Sequence, residues 1–173
     1  GGFGLSTGSM KMDNYSGAVD ITGQIDYFMS PIIDMTTATA NSWLRFNVAY
    51  AKYNAASNDA LQVLVSTDCG STWNSIYNKS GTLLSTAPVS SSAWTPTAAQ
   101  WRTDSVTLAS YSGQSEVMLA FTSISNFGNN VYVDDIFVGD ITTGINDMEI
   151  DAVINISPNP FSSTLYISIN DIL

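Results

Sequence analysis

The sequence predicts an all-β fold, a two-sheet antiparallel β-sandwich of jelly-roll type, on three observations. Short runs rich in Val, Ile, Tyr, Phe and Thr alternate with Gly/Ser/Asn/Asp clusters along the chain, which is the strand-and-turn signature. In the clearest runs every second residue is apolar: Leu44, Phe46, Val48 and Tyr50, then Leu61, Val63 and Val65. Successive side chains on a strand point to opposite faces, so each such run buries one face. About eight runs recur at this spacing with hardly any helical periodicity between them, as in a sandwich or jelly roll.

In chain order the expected strands are 17–21, 27–30 (leading into Pro31-Ile32-Ile33), 42–50 (SWLRFNVAY) and 60–66 (ALQVLVS). A hairpin returns through 72–77, followed by 100–108 (QWRTDSVTL), 115–123 (SEVMLAFTS) and 130–138 (NVYVDDIFV). Residues 81–99 are rich in Ser, Thr, Ala and Pro and contain Trp94. That connection is too long for a hairpin and is expected to cross between sheets or cover one end. Residues 1–140 therefore form the main module. Residues 141–152 read as a polar, acidic linker. A second unit, 153–173, opens with alternating Ile154 and Ile156 and carries a strand at 164–169. About twenty residues are too few for a stable domain, so this β appendage is expected to be truncated. The Gly1-Gly2-Phe3-Gly4 start has neither the positive nor the apolar region of a signal peptide. The chain is accordingly expected to be a piece of a longer precursor.

Composition narrows the function. Charged residues are 12% of the 173, about half the usual share, with polar uncharged residues in their place, as in extracellular β-sandwiches. The net charge is −10, and the basic residues Lys11, Lys52, Lys79, Arg45 and Arg102 are scattered. No basic patch forms to neutralise phosphates, so nucleic acid and anionic membranes are poor candidates as partners, and neither nucleic-acid binding nor membrane insertion is expected. No run approaches the ~20 apolar residues of a membrane span, which excludes helical membrane insertion. With no histidine and one cysteine, Cys69, the chain can build neither a Ser-His-Asp nor a Cys-His arrangement, nor a His-based zinc site, nor an internal disulfide. The surplus of acid fits Ca²⁺ binding and equally fits solubility alone.

The sharpest local motif is Ser66-Thr67-Asp68-Cys69-Gly70-Ser71-Thr72-Trp73, which matches the Asp-box pattern S-x-D-x-G-x-T-W. Asp68 is expected to accept backbone N–H bonds across a tight turn. Gly70 would supply a positive φ, and Trp73 would pack over the hairpin. The motif resembles that of sialidase propellers, but one copy without a repeat argues against a propeller, and two arginines cannot form the sialidase cluster. It reads as a structural turn.

The second motif is Tyr132-Val133-Asp134-Asp135-Ile136-Phe137-Val138. Strand alternation sends one Asp to each face, and an inward carboxylate needs a cation or several N–H donors. Asp134 and Asp135 are therefore either Ca²⁺ ligands, completed by Asp13, Asn14 and Asp20 of the N-terminal segment, or hydrogen-bonded carboxylates that pin a loop.

Four blocks in order carry a resemblance over about residues 5–140: Tyr27 to Asp34; Leu61 to Val65 running into the Asp-box; Trp101 with Tyr111-Ser112-Gly113-Gln114; and Asn130 to Phe137. They resemble the cleaved-adhesin and MAM-like jelly-roll modules, relatives of galactose-binding-like sandwiches in secreted Bacteroidota proteins. The resemblance implies a non-catalytic sandwich, often calcium-stabilised, with Asp134 and Asp135 as the calcium or core carboxylates. Ile156-Ser157-Pro158-Asn159-Pro160-Phe161, followed by 165–169, is similar to the opening of the type IX secretion C-terminal sorting domain. That implies export through the type IX machinery to the outer cell surface. Asp104-Ser105-Val106 resembles a short O-glycosylation site of the same bacteria, though a plain strand segment is the favoured reading.

Catalysis is not expected. Asp26, Asp34, Asp59 and Asp68 are the carboxylates one could imagine in a glycosidase, and no motif pairs them in a cleft. Aromatic residues able to stack on a sugar are Trp43, Tyr53, Tyr77 and above all Trp94 in the long loop. The expected function is a binding or adhesion module that recognises a glycan or a host or matrix protein. A structural accessory domain of a secreted metallopeptidase is the alternative, and a carbohydrate-active enzyme stands behind both.

Overall fold

The computed structural model describes residues 2–17 and 19–141, together with two strands further on, 152–157 and 166–171. The chain divides into two compact units, Gly1–Ile141 and Thr142–Leu173. The first unit is the predicted β-sandwich. One antiparallel sheet has the order β1-β8-β3-β6 and the other β2-β7-β4-β5. Their strands are β1 Met10–Met12, β2 Ile25–Met29, β3 Ser42–Tyr50, β4 Ala60–Ser66, β5 Asn74–Ser80, β6 Arg102–Thr107, β7 Met118–Ile124 and β8 Val131–Asp140. Within this unit only β4 and β5 are joined as a hairpin in one sheet; every other connection crosses between sheets. In the second unit β9 Ala152–Ser157 pairs antiparallel with β10 Tyr166–Asp171. The sorting-domain turn at Pro158 to Phe161 lies outside the described residues.

Alternation places the core. Leu44, Phe46, Val48 and Tyr50 of β3 are fully buried and face Leu61, Val63 and Val65 of β4, with Leu119 and Phe121 of β7 and Val131 and Val133 of β8 closing the same interior. Phe46 joins the sheets at the centre. Its ring meets Phe121 edge-on at 5.1 Å and Tyr77 edge-on at 5.2 Å, the preferred geometry for aromatic pairs.

One side of the sandwich closes on an ion cluster. Asp104 of β6 accepts two hydrogen bonds from Arg102 at 2.9 Å, one from the Tyr77 hydroxyl at 2.6 Å, and pairs with Lys79 at 3.0 Å. Burial pushes the Asp104 carboxyl up, but bonds from Arg102, Tyr77 and Lys79 outweigh it and hold the group below its ordinary value. Asp104 thus serves the fold, while Ser105 beside it is exposed on β6.

Two local expectations are corrected. The described residues of the expected strand 17–21 do not form one: Gly17 sits at φ 67 and the Val19 N–H turns back to Ser16 O. The short β1 supplies the missing edge instead. The alternation expected across Asp134 and Asp135 is also broken. The β3–β8 register runs from Arg45↔Phe137 to Asn47↔Asp134, so Asp135 and Ile136 together oppose Phe46. This is a β-bulge, with Asp135 at φ 50. Asp134 is half-buried and Asp135 exposed, and neither enters the core.

Candidate functional site

Four connections converge at one end of the sandwich, and a buried carboxylate before β4 bonds the turn between β7 and β8. Asp59, fully buried at the start of β4, accepts the Tyr50 hydroxyl at 2.6 Å, the Asn126 N–H at 2.6 Å and the Asn129 N–H at 3.0 Å. Burial first, and then the bond from its hydroxyl to Asp59, drive the Tyr50 phenol far above its ordinary value, so it remains a donor. Gly128 lies against this carboxylate: a Cβ built there would sit 1.3 Å from Asp59 Oδ2. Only glycine lets the β7–β8 turn approach so closely.

The neighbouring asparagines extend the tie. Asn129 donates from Nδ2 to Ser90 O at 3.0 Å and Ser92 O at 2.8 Å, and its Oδ1 accepts the Trp94 N–H. Asn130 Oδ1 accepts the Tyr15 N–H at 3.1 Å, and Asn14 donates to the Ser123 hydroxyl at 2.7 Å. The Ser57 hydroxyl reaches Phe127 O at 2.9 Å. These bonds join the β1–β2, β3–β4, β5–β6 and β7–β8 connections into one platform.

An aromatic cluster stands on it. Tyr53 meets Phe127 edge-on, with centroids 5.7 Å apart, and lies 6.1 Å from Tyr15. Phe127 is 38% exposed and adopts φ 50, a conformation a bulky residue adopts only under tertiary constraint. Phe127 borders a narrow cleft of about 10 Å³ lined also by Asn14, Tyr15, Ser16 and Tyr53. It also borders a depression of about 120 Å³ lined by Asn54, Ala56, Ser57 and Asn126. Sequence reasoning noted Tyr53 but missed Phe127 and Tyr15. The available signal was an aromatic residue inside the otherwise turn-forming Ser125-Asn126-Phe127-Gly128-Asn129-Asn130.

The predicted residues fall elsewhere. Trp94 is half-buried: its carbonyl accepts the Tyr132 hydroxyl at 2.8 Å and its ring meets Tyr132 edge-on at 6.0 Å. The expected calcium set is not gathered. Asp134 accepts the Phe3 and Asp135 N–H groups, Asp135 accepts Asn47 Nδ2, and Asp13 pairs with Lys11. Because Met12 pairs with Val131, Asp13 and Asp134 stand four strand positions apart, roughly 13 Å. Asn14 turns inward to Ser123, and Asp20 bonds the Thr22 N–H. Among the described residues no group of three or more His, Cys, Asp or Glu is placed to hold a metal ion.

At the Asp-box, Asp68 Oδ1 accepts the Ser66 hydroxyl and the Thr72 N–H, and Oδ2 accepts the Thr72 hydroxyl at 2.6 Å. Gly70 sits at φ 85 beneath the Trp73 ring, whose Cζ2 would lie 3.4 Å from an added Cβ. Thr72 above all, with Ser66, holds the Asp68 carboxyl down to about 2. A carboxylate depressed in the folded state stabilises above its unfolded value and loses that contribution as pH falls through the folded one. Melting temperature should therefore hold from neutral down to about pH 4 and fall between there and about pH 2, with a smaller fall in Asp68→Asn. Identical acid profiles would remove Asp68 from this role.

The imagined glycosidase carboxylates do not pair. Asp59 is sealed under the platform, Asp26 bonds the Asp13 N–H, and Asp68 is in its turn. Asp34 and Asp140 do share a depression. Thr36 holds Asp34, and Ser42 with Thr39 holds Asp140, below the ordinary carboxylate range. Neither keeps a proton at neutral pH to donate to a leaving group.

No protein-family model and no curated protein matches the chain. Solved structures do. The K3 cleaved adhesin domain of Lys-gingipain from Porphyromonas gingivalis is similar with a TM-score of 0.53 and 18% identity, over 75% of this chain and 72% of that one. The K1 cleaved adhesin domain of the same protein is similar with a TM-score of 0.53 and 16% identity, over 78% and 75%. At these identities the likeness is one of fold, and by fold this chain is a β-sandwich of the kind seen in those cleaved adhesin domains.

Proposed function

We propose that the chain is a non-catalytic, adhesion-type binding module of an exported protein. The observation that carries this reading is the platform at the loop end, where a buried carboxylate rigidly holds exposed aromatic and amide side chains. Binding surfaces gain affinity when their groups are ordered before the ligand arrives, and loops on a rigid sandwich are where such groups gather. The adhesin-domain fold of the neighbours supports the same direction. Export by the type IX machinery to the outer cell surface rests on the Ile156 to Phe161 motif. Because both neighbours are domains of a larger protein, an accessory role beside a metallopeptidase is the second reading.

The test is binding of the full chain to immobilised glycans and extracellular matrix proteins, in Ca²⁺ and in EDTA. Saturable binding to at least one class is expected; silence across both classes would leave only the accessory role. A structural Ca²⁺ also belongs to the proposal. It predicts a lower melting temperature in EDTA, because a ligand that binds only the folded state stabilises it. Superimposable melting curves would remove the ion.

A further inference from the structure

We propose that β2 is a self-association edge, at which a second copy of this chain adds its own β2 antiparallel about a two-fold axis. The edges of the sandwich are β1 and β6 in one sheet and β2 and β5 in the other. An open edge presents unpaired backbone groups, and folded proteins blunt it with charge, bulges or shortness. Three edges here are blunted in this way. β1 is three residues long and carries Lys11. β5 carries Lys79 and meets β4 through a bulge. β6 carries Arg102 and Asp104. By contrast, β2 pairs with β7 in unbroken register, and its single charge, Asp26, is turned back to accept the Asp13 N–H. Its other four side chains, Ile25, Tyr27, Phe28 and Met29, are large, apolar and exposed, Tyr27 by 61%.

The backbone fixes which groups are free. The Ser30 N–H bonds Leu119 O, and the Ser125 N–H bonds Gln24 O. Antiparallel partners alternate between bonded and unbonded pairs, so the even-numbered residues of β2 bond to β7. Ile25, Tyr27 and Met29 then aim their N–H and C=O groups at the open edge. With Tyr27 on the axis, Tyr27 meets Tyr27 of the second copy and Ile25 meets its Met29, each as a bonded pair. A two-fold contact needs such a self-complementary surface. The same register sets Asp26 against Phe28, whereas a register centred on Asp26 would oppose two carboxylates.

Charge selects a second copy as the occupant. At a net charge of −10, two copies repel wherever their carboxylates meet. The outward side of the β2 sheet carries no charge in the rows that start at β2. Tyr27 continues into Thr122 and Gln62, Ile25 into Ile124 and Ala60, and Met29 into Ala120 and Leu64. The outward side of the other sheet holds Lys11, Arg45 and Asp134. Pairing at β2 therefore joins one neutral sheet face to another and covers apolar side chains with their own kind.

Analytical ultracentrifugation of the full chain, of Tyr27→Lys and of Tyr27→Cys in a Cys69→Ser background is the test. The full chain should show a concentration-dependent equilibrium between monomer and dimer. Tyr27→Lys sets like charges directly opposite each other, where they destabilise, and should weaken the dimer at least tenfold. Because Tyr27 is exposed in the single copy, urea unfolding of this variant should match the full chain at a concentration where both are monomeric. Cysteines at the axis would have Cα atoms ~5.5 Å apart, within disulfide reach. Tyr27→Cys should therefore cross-link into dimers under mild oxidation, while Cys69→Ser alone should not. A chain that stays monomeric up to about 1 mM, an assembly larger than a dimer, a dimer that survives Tyr27→Lys, or a Tyr27→Cys dimer that does not cross-link overturns the proposal.

Discussion

Asp59→Ala should cost at least about 3 kcal/mol, the lower bound for leaving three buried donors unpaired at about 1–3 kcal/mol each. The carboxylate satisfies three donors at once: the Tyr50 hydroxyl, the Asn126 N–H and the Asn129 N–H. Truncation leaves all three facing a cavity, and an unsatisfied buried polar group costs about 1–3 kcal/mol. Against a total stability of ~5–15 kcal/mol, the variant stands near unfolding. Gly128→Ala should fail similarly from the other side of the contact, since its Cβ cannot share space with Asp59 Oδ2. Urea unfolding measures both. A loss below about 1 kcal/mol in Asp59→Ala, within the ordinary range for point mutants, would mean that the loops are held by other bonds. If Asp59→Ala still folds, the β3–β4 connection and the β7–β8 turn should be the first regions to lose amide-exchange protection, because Asp59 joins them.

Phe46→Ala is expected to cost about 3–5 kcal/mol, the usual range for truncating a buried aromatic. The residue is fully buried at the centre of β3 and contacts Phe121 and Tyr77 of the opposite sheet edge-on. Its removal deletes both ring contacts and opens a cavity between sheets that cannot close without shifting their strands. Phe46→Leu refills part of the space and should cost less. Thermal and urea unfolding of the pair give the measurement. Equal stabilities for Phe46→Ala and wild type would mean that the sheets are joined elsewhere. Unlike Asp59→Ala, this substitution acts from the middle of the sandwich, so exchange protection should fall evenly across both sheets.

The strands that bury one face were legible in advance because burial imposes a period on the residues themselves. Runs 42–50 and 60–66 coincide with β3 and β4, since no other register hides Leu44, Phe46, Val48 and Tyr50 or Leu61, Val63 and Val65. Edge elements carry less of that imprint. β1 is three residues long, too short to show alternation. The run 17–21 reads as a strand by composition, but its described residues do not form one, because Gly17 takes a positive φ. The Asp-box was legible for a related reason: its bonds connect residues two to four apart, from Ser66 to Thr72.

The loop-end platform had no such local record. The Asp59 partners Asn126 and Asn129 lie 67 and 70 positions away, and nothing in the sequence around Asp59 distinguishes it from the exposed aspartates. The bulge at Asp135 likewise depends on how β8 meets β3, and it removed the simple alternation on which the two-faced reading of Asp134 and Asp135 depended. By itself the sequence determined the all-β class, the central strands, the Asp-box turn and the exclusion of histidine- and disulfide-based chemistry, all of which follow from residue identity and short-range spacing. Only the tertiary structure decided which aspartate would be buried and which aromatic would stand exposed at a shared end. Those outcomes depend on contacts between segments distant along the chain, and composition and periodicity carry no information about which distant segments meet.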